Sequence, residues 1–240
     1  MSARFETVAE TGSTNADLLA RLAAGEYVPE GAWLVAERQT AGRGRQGRRW
    51  LDAPGNFMGS TVVNLTPHDP PPASLSFVAA LAVYEAVLPQ LPNPASLQLK
   101  WPNDVQLAGA KFCGVLLERE GDHAVVGIGV NLAGAPPVAD RATDSLASHG
   151  PAPARDAFAQ SLARNFDLEV ARWREFGLEP ILGRWLAAAH PVGSALTVHD
   201  GQGAAMQGTF AGLERDGALR LRLADGSARV IHAGDVSLGG

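Results

Sequence analysis

Cysteine is almost absent from this sequence: Cys113 is the single example among 240 residues. One thiol cannot form a disulfide within the chain, which excludes the disulfide-stapled class of secreted proteins and fits a reducing compartment. The N-terminal residues lack the apolar core of a secretory signal, and we expect no stretch of the chain to be long and apolar enough to span a bilayer. The sequence therefore predicts a cytoplasmic protein without membrane association.

An excess of positive charge is missing as well. The formal net charge is −5, and 46% hydrophobic against 19% charged residues is an ordinary globular composition. General disorder and bulk nucleic-acid binding are therefore excluded, and any basic site must be local. The six histidines show no metal-ligand spacing, so we predict no metal site formed by protein side chains.

Hydrophobic periodicity divides the first part of the chain into helices and strands. Helical patterns cover 16–22, 74–87 and 155–189, and apolar strand patterns cover 32–36, 56–65, 97–101, 105–107, 112–117 and 124–132. Gly177 and Pro180 are expected to divide the last helical segment. The last three strands are joined by turns of only a few residues, so they must run antiparallel. The fold class is therefore α+β, with a mixed or antiparallel sheet flanked by helices.

The hydrophobic pattern of the sequence changes after Pro191. Short alternating runs at 195–199, 208–213, 218–223 and 228–232 are separated by Asp-Gly pairs at 200–201, 216–217 and 225–226. Asp-Gly between alternating runs is typical of β-hairpins. We predict a small β-barrel domain over residues 191–240, after a larger domain over residues 1–190.

The segment from Gly42 to Arg49, the Arg/Gly loop, holds four arginines and three glycines. Glycines let backbone N–H groups approach an anion, and arginine donors match carboxylate and phosphate oxygens, so the loop is typical of an anion site. Gly42-x-Gly44-x-x-Gly47 also spells a dinucleotide fingerprint, but that motif needs a following helix, which residues 50–55 do not favour. The composition would also suit a loop that binds nucleic acid with Trp50 stacked on a base, or a merely solvated loop.

Three further motifs carry polar residues on predicted strands. One motif is Lys100-Trp101-Pro102-Asn103-Asp104, which offers a cation, an amide and a carboxylate. This set suits a site for metal-bound triphosphate and an ordinary turn equally well. Lys111 begins a strand in which Gly114 indicates close approach of a ligand or of another backbone. Gly127-Ile128-Gly129-Val130-Asn131 indicates tight packing, a bulge, or a wall on which a flat ring lies beside the Asn131 amide.

Taken in order, these motifs resemble those of the biotin–protein ligases. The resemblance covers about residues 10 to 150 and rests on Ser13-Thr14-Asn15, residues 39–50, residues 100–104, Lys111-x-x-Gly114-Val115-Leu116-x-Glu118 and residues 127–131. It implies an α/β sheet domain related to class II synthetases and lipoate ligases, followed by a small SH3-like barrel. It also implies that biotin and ATP form biotinyl-5′-AMP, from which a lysine of the biotin carboxyl carrier protein takes the biotin, with Mg²⁺ as cofactor.

The resemblance also assigns roles to individual residues. Lys111 and Arg45 are expected to be catalytic; the expected biotin-binding residues are Ser13, Thr14, Asn15, Gln39, Arg43, Gly44 and Gly114, and the expected nucleotide-binding residues are Trp50, Asn103 and Asn131. The Arg43-Gly44-Arg45 segment would order over biotin and the adenylate.

The Ser-Thr-Asn motif begins at residue 13, which leaves no room for the N-terminal helix-turn-helix of family members that act as repressors. We therefore expect no nucleic-acid partner. An exposed strand of the sheet could pair two subunits into a homodimer. Two competing functions stay open: a lipoate ligase of the same superfamily, and a non-enzymatic nucleic-acid-binding module that uses the Arg/Gly loop.

Overall fold

The structure is a computed structural model that describes residues 4–139, 141–199 and 205–238. The strands and helices of the first part are β1 (Arg4–Thr11), α1 (Thr14–Ala23), β2 (Ala32–Gln39), β3 (Phe57–Asn64), α2 (Leu75–Val87), β4 (Leu97–Lys100), β5 (Asp104–Leu107), β6 (Ala110–Glu120) and β7 (His123–Val130). The second part has α3 (Arg155–Phe176), α4 (Leu178–Ala188), β8 (Ala195–His199), β9 (Ala205–Leu213), β10 (Leu219–Arg222), β11 (Ala228–Ile231) and β12 (Asp235–Leu238).

Seven strands form the larger sheet, in the order β1-β2-β3-β7-β6-β5-β4. Strands β4 to β7 follow one another through tight turns and pair antiparallel, whereas β1 and β2 pair parallel around α1. The predicted mixed sheet is confirmed. Strand β1 was not predicted; it lies at the edge of the sheet, and its exposed and half-buried residues give no apolar run.

The two faces of this sheet differ in what covers them. One face carries Val35, Val126 and Ile128 into the main core, under α2 and α3. The other carries Leu34, Val62 and Val125 into a small cluster with Leu18 and Val28, beside α1. A ten-residue helix covers only part of a seven-stranded sheet, so the rest of the second face remains open as a cleft.

Helix α2 is apolar around most of its circumference because it lies between the sheet and α3. Ten of its residues are buried, so no polar stripe is needed. Together with its flanking turns, the segment Pro72–Gln90 is long and apolar enough to span a membrane by length and composition, with a mean hydropathy of 1.5. The expectation that no stretch reaches that length and hydropathy was therefore wrong. Within the protein 61% of the segment is buried.

Helices α3 and α4 meet at Gly177, as predicted. Gly177 has φ 77° and ψ −166°, a conformation that ends a helix and that glycine adopts without steric cost. Pro180 does not break the segment: it lies in the first turn of α4, where its missing N–H would have no partner within the helix. Glu169 of α3 is buried between the two helices and receives Arg172 and Arg184.

The C-terminal strands form a five-stranded antiparallel sheet in the order β11-β10-β9-β8-β12. The hairpin turns at Asp216-Gly217 and Asp225-Gly226 are confirmed, and the predicted turn at Asp200-Gly201 lies outside the described residues. The predicted barrel is not closed within the described residues. Its edge strands β11 and β12 have four residues each and pair on one side only.

The Asp216-Gly217 turn fixes the second sheet to the first. Trp101 donates its indole N–H to the carbonyl of Gly217 at 3.0 Å, and a side chain at Gly217 would meet the Phe77 ring at 2.5 Å. Gly217 also has φ +87°, so this position suits glycine both for its conformation and for lack of space. The second sheet therefore lies at the end of the cleft where β4 and β5 pair.

Candidate active site

All twelve predicted site residues line one cleft of about 860 Å³ on the open face of the larger sheet. They come from the start of α1, β2, the Arg/Gly loop with Trp50 directly after it, the β4–β5 turn, β6 and the end of β7, and strand β12 closes one end of the cleft. The structure thus brings together Ser13, Thr14, Asn15, Gln39, Arg43, Gly44, Arg45, Trp50, Asn103, Lys111, Gly114 and Asn131.

One end of the cleft is a compact network of neutral polar groups at the start of α1. The Ser13 hydroxyl caps α1 and lies 3.5 Å from the Ala16 amide N, while the Thr14 backbone N–H donates to Gln39 Oε1 at 2.8 Å. The Thr14 and Ser60 hydroxyl oxygens are 2.6 Å apart, and Ser60 donates to Asn15 Oδ1, also at 2.6 Å. Because helix capping and strand position both fix these side chains, the network is preorganised.

Glycines in β6 and β7 make room for protein side chains at this face. A Cβ at Gly127 would lie 2.2 Å from Asn15 Oδ1, and a Cβ at Gly129 would lie 2.4 Å from the Trp50 ring. Gly114 pairs with Gly129 in the sheet, and a Cβ at Gly114 would lie 3.2 Å from the same ring. The flat ring against this backbone is therefore Trp50 of the protein itself, and tight packing, one of the predicted explanations, accounts for the glycines.

A carboxylate between two lysines forms the charged centre of the cleft. Lys111 Nζ donates to Asp104 Oδ1 at 2.6 Å, and Lys100 Nζ lies 3.6 Å from Asp104 Oδ2. The β4–β5 hairpin sets this geometry, since Lys100 and Asp104 are cross-strand partners. Burial works against ionisation of Asp104, but the two lysines outweigh it and lower its pKa. Burial also lowers the pKa of Lys100.

The Arg/Gly loop lies across the cleft and joins both sheets. Arg45 donates to Asn103 Oδ1 at 2.7 Å and to the Gly234 carbonyl at 2.9 Å, and Arg48 donates to Asp235 at 2.7 Å. Burial lowers the pKa of the Arg45 guanidinium, although Asp235 and Asp104 oppose the shift. No helix follows this loop before β3 in the described chain, so the dinucleotide fingerprint is excluded.

A segment that follows β7 is held against Lys111 and Asn131. The Lys111 backbone N–H donates to the Ala142 carbonyl at 2.9 Å, and the Asp144 N–H donates to the Lys111 carbonyl at 3.0 Å. Asn131 donates from its amide to the Asp144 carbonyl at 3.1 Å. Asn131 therefore orders the wall of the cleft through its contacts with the protein.

Several residues in and around the cleft carry no signal in the sequence that would identify them. Ser60 is a buried serine within an apolar strand, and Asp235 lies in the C-terminal tail, 187 residues from its partner Arg48. Glu118 belongs to the motif that begins at Lys111 but had no predicted role; in the structure it accepts from Asn15 and lies 3.8 Å from Arg43. Only the fold brings these partners together.

The arrangement suits the meeting of two anions. Lys100, Lys111 and Arg45 gather around the carboxylate of Asp104, and Arg48 pairs with Asp235 beside them, so this end of the cleft has more cations than anions. Cations fixed in a partly dry site stabilise charge that develops between a carboxylate and a phosphate. The neutral polar end beside Thr14 suits the uncharged donors and acceptors of a small molecule.

Comparison with known proteins gives consistent matches along the chain. Residues 12–131 match the model of the biotin/lipoate A/B protein ligase family, and residues 193–239 match the biotin protein ligase C-terminal domain. The biotin–[acetyl-CoA-carboxylase] ligase of Paracoccus denitrificans is 41% identical over 97% of this chain and 100% of its own length. The enzyme of the same name from Mycobacterium tuberculosis is 37% identical over 97% of this chain and 88% of its length.

A solved structure gives the same result. The biotin protein ligase of Aquifex aeolicus in complex with biotin and ATP has a TM-score of 0.84 and 26% identity, with 98% of each chain covered. Its similarity includes both the seven-stranded sheet and the C-terminal sheet, because nearly the whole of both chains is aligned. From the matching family models and relatives, this chain belongs to the biotin/lipoate A/B protein ligase family.

Proposed function

We propose that this protein is an ATP-dependent biotin ligase that biotinylates a lysine of the biotin carboxyl carrier protein of acetyl-CoA carboxylase. The observation that carries the proposal is the single cleft that joins a neutral polar pocket to a cluster of three cations. Relatives named biotin–[acetyl-CoA-carboxylase] ligase, and a similar structure with biotin and ATP bound, support it. These relatives favour biotin over lipoate as the acid.

In the first step, a biotin carboxylate oxygen attacks the α-phosphorus of ATP. The new bond joins that oxygen to phosphorus, the bond from phosphorus to the bridging oxygen breaks, and pyrophosphate leaves. Lys111 and Arg45 would lie beside the two reacting anions, because their partners Asp104 and Asn103 are neighbours in the chain. Their positive charges lower the repulsion between the reactants and stabilise the additional charge of the transition state.

In the second step, the neutral amine of the acceptor lysine attacks the acyl carbon. A carbon–nitrogen bond forms, the bond from carbon to the phosphate oxygen breaks, and AMP leaves while the amine loses its proton to water. The adenylate is hydrolysable, so water must be kept away from it between the steps. The Arg43-Gly44-Arg45 segment lies across the cleft and would act as the cover.

The other site residues keep the roles that the resemblance implies, and all of them line the cleft. Ser13, Thr14, Asn15, Gln39, Arg43, Gly44 and Gly114 would bind or enclose biotin, and Trp50, Asn103 and Asn131 would form the nucleotide pocket. Asp104 is engaged by both lysines, and the described parts of the chain contain no group of three or more His, Cys, Asp or Glu residues placed to hold a metal ion. We therefore propose that Mg²⁺ enters with ATP, as part of the substrate.

The remaining proposals concern organisation and partners. Residues 1–190 would form the catalytic domain and residues 191–240 a second domain that completes the cleft. We propose a cytoplasmic protein with no nucleic-acid partner, and edge strand β1, which pairs with β2 alone, could join two copies into a homodimer. Steeply salt-dependent binding of an oligonucleotide would contradict the proposal on nucleic acid.

The proposal is tested with mass spectrometry of a purified carrier domain incubated with this protein, MgATP and biotin. We expect the carrier to gain one biotinyl group, at a single lysine. A matched reaction with lipoate in place of biotin should leave the carrier unmodified. Transfer of lipoate but not of biotin would favour a lipoate ligase, and transfer of neither would contradict both functions.

A further inference from the structure

Glu118 lies outside the cleft lining but touches two of the residues that form it. Its Oε2 accepts from Asn15 Nδ2 at 2.9 Å, and its Oε1 lies 3.8 Å from an Arg43 guanidinium nitrogen. Strand β6 places Gly114, Leu116 and Glu118 on one face, since alternate residues of a strand share a face. Glu118 thus lies on the Asn15 side of the sheet, next to the neutral polar end of the cleft.

We propose that Glu118 is a positioning residue that sets the donor and acceptor directions of the biotin pocket through Asn15, Ser60 and Thr14. The inference rests on the proposed function, because it concerns how the same pocket recognises the cyclic urea of biotin. It assigns a role to a carboxylate that need not touch the ligand.

The first link is the orientation of the Asn15 amide. An ionised carboxylate only accepts hydrogen bonds, so the Asn15 group that faces Glu118 must be the NH₂. The amide oxygen then faces Ser60, at 2.6 Å. Asn15 is 3% exposed, and Gly127 leaves just enough space for Oδ1, so the amide cannot turn toward solvent.

The orientation of the Asn15 amide also fixes the direction of the hydrogen bonds made by the Ser60 and Thr14 hydroxyl groups. Asn15 Oδ1 has no hydrogen to give, so Ser60 must donate to it and thereby uses its only hydrogen. The 2.6 Å contact between Ser60 and Thr14 then requires Thr14 to be the donor. Thr14 Oγ1 also lies 3.2 Å from Gln39 Oε1, but its one hydrogen belongs to the shorter contact.

The result is a fixed pattern at the surface of the pocket. Thr14 Oγ1 has used its hydrogen and presents lone pairs, so it is an acceptor for a ligand N–H. The Thr14 backbone N–H holds Gln39 by its oxygen at 2.8 Å, which leaves the Gln39 NH₂ as a donor for a ligand carbonyl. One acceptor beside one donor complements the N–H and C=O of a cyclic urea.

The test compares Glu118→Gln with the parent protein by calorimetric titration of biotin and, separately, of MgATP. Glutamine has the same shape but can donate as well as accept, so the Asn15 amide can flip in place, exchanging its oxygen and NH₂, and the fixed direction is lost. We expect the biotin dissociation constant to rise about tenfold, equivalent to about 1.4 kcal/mol. The MgATP dissociation constant should stay within about twofold, which also shows that the variant is folded.

A double-mutant cycle separates the route through Asn15 from a route through Arg43. In an Asn15→Ala background, Glu118→Gln should have no further effect on biotin affinity. In an Arg43→Ala background it should keep its full effect. An unchanged biotin affinity in Glu118→Gln, or an effect that persists without Asn15 or disappears without Arg43, would overturn the inference. Failure of the parent protein to bind biotin would instead contradict the proposed function.

Discussion

Two buried carboxylates in this protein each hold two cations, yet their surroundings differ. Glu169 is 1% exposed and receives Arg172 and Arg184, whose side chains are 47% and 35% exposed. Asp104 is 10% exposed and holds Lys111 and Lys100, which are 19% and 17% exposed. The first cluster has its cations near solvent, and the second keeps them inside a concave site.

The balance of charge also differs between the two clusters. At Glu169 a second carboxylate, Glu85, pairs with Arg184 at 2.7 Å, so cations and anions are equal in number. At Asp104 one carboxylate faces two lysines, with Arg45 close enough to feel its charge. A balanced cluster joins helices, whereas an excess of half-buried positive charge is costly unless an anion binds there. We therefore expect a structural role for the balanced cluster and propose that the other cluster binds anions.

Removal of Lys111 should produce the largest effect. In Lys111→Ala, the biotin-dependent exchange of pyrophosphate into ATP should fall by about a thousandfold, the loss typical of a fixed group that stabilises transition-state charge. Thermal stability should change little, because Asp104 keeps Lys100 as its partner. The isotope exchange assay measures the first effect and calorimetric unfolding measures the second.

Arg172→Ala provides the matched control, because it also removes one cation from a buried carboxylate that has two. It should leave the exchange rate within about twofold of the parent, since Arg172 lies on α3, away from the cleft. Near-normal exchange in Lys111→Ala, or an equal loss in both variants, would remove the distinction between the clusters.

Glu169→Gln should give the next largest effect, and on stability instead of activity. A neutral amide leaves two guanidinium groups without their shared buried carboxylate, which we expect to lower the free energy of unfolding by about 2 kcal/mol. This value is below the usual one for a fully buried pair because both arginines reach solvent. Urea unfolding measures it. A stability equal to that of the parent, or a loss of exchange activity in the folded variant, would contradict the structural role.

Most of the larger sheet could be predicted from the sequence because its strands and turns follow local rules. Residues 97–132 alternate apolar runs with very short turns, which permits only antiparallel pairing. Strand β1 could not be predicted in the same way, since an edge strand with only exposed and half-buried residues gives no apolar run. The open form of the second sheet depends on pairing between distant strands, which local patterns do not encode.

The site shows the same division between local and long-range information. The sequence motifs were enough to identify twelve residues that all line one cleft. Each motif lies at or beside a strand or a helix start that faces this cleft. It was not enough to show that Trp50 occupies the glycine wall, since 79 residues separate Trp50 from Gly129. Partners such as Ser60 for Asn15 and Asp235 for Arg48 likewise depend on the fold.

A further ion pair, whose carboxylate is more exposed than that of either cluster, should have the smallest effect. Arg48 and Asp235 are 35% and 33% exposed and join the Arg/Gly loop to β12. A partly exposed pair contributes at most about 1 kcal/mol, so Asp235→Asn should release preformed adenylate up to about fivefold faster. The release rate can be followed after removal of free biotin and ATP.

The control for this variant is Glu214→Gln, which breaks the similarly exposed pair with Arg220 elsewhere on the second sheet, away from the cleft. It should leave the release rate unchanged. Because salt screens a pair at this exposure, the difference between Asp235→Asn and the parent should also shrink as ionic strength rises. Equal release rates for Asp235→Asn and the parent at low salt would show that the loop stays closed without its ion pair to the second sheet. The contacts of Arg45 with Asn103 and the Gly234 carbonyl would then be sufficient to hold it.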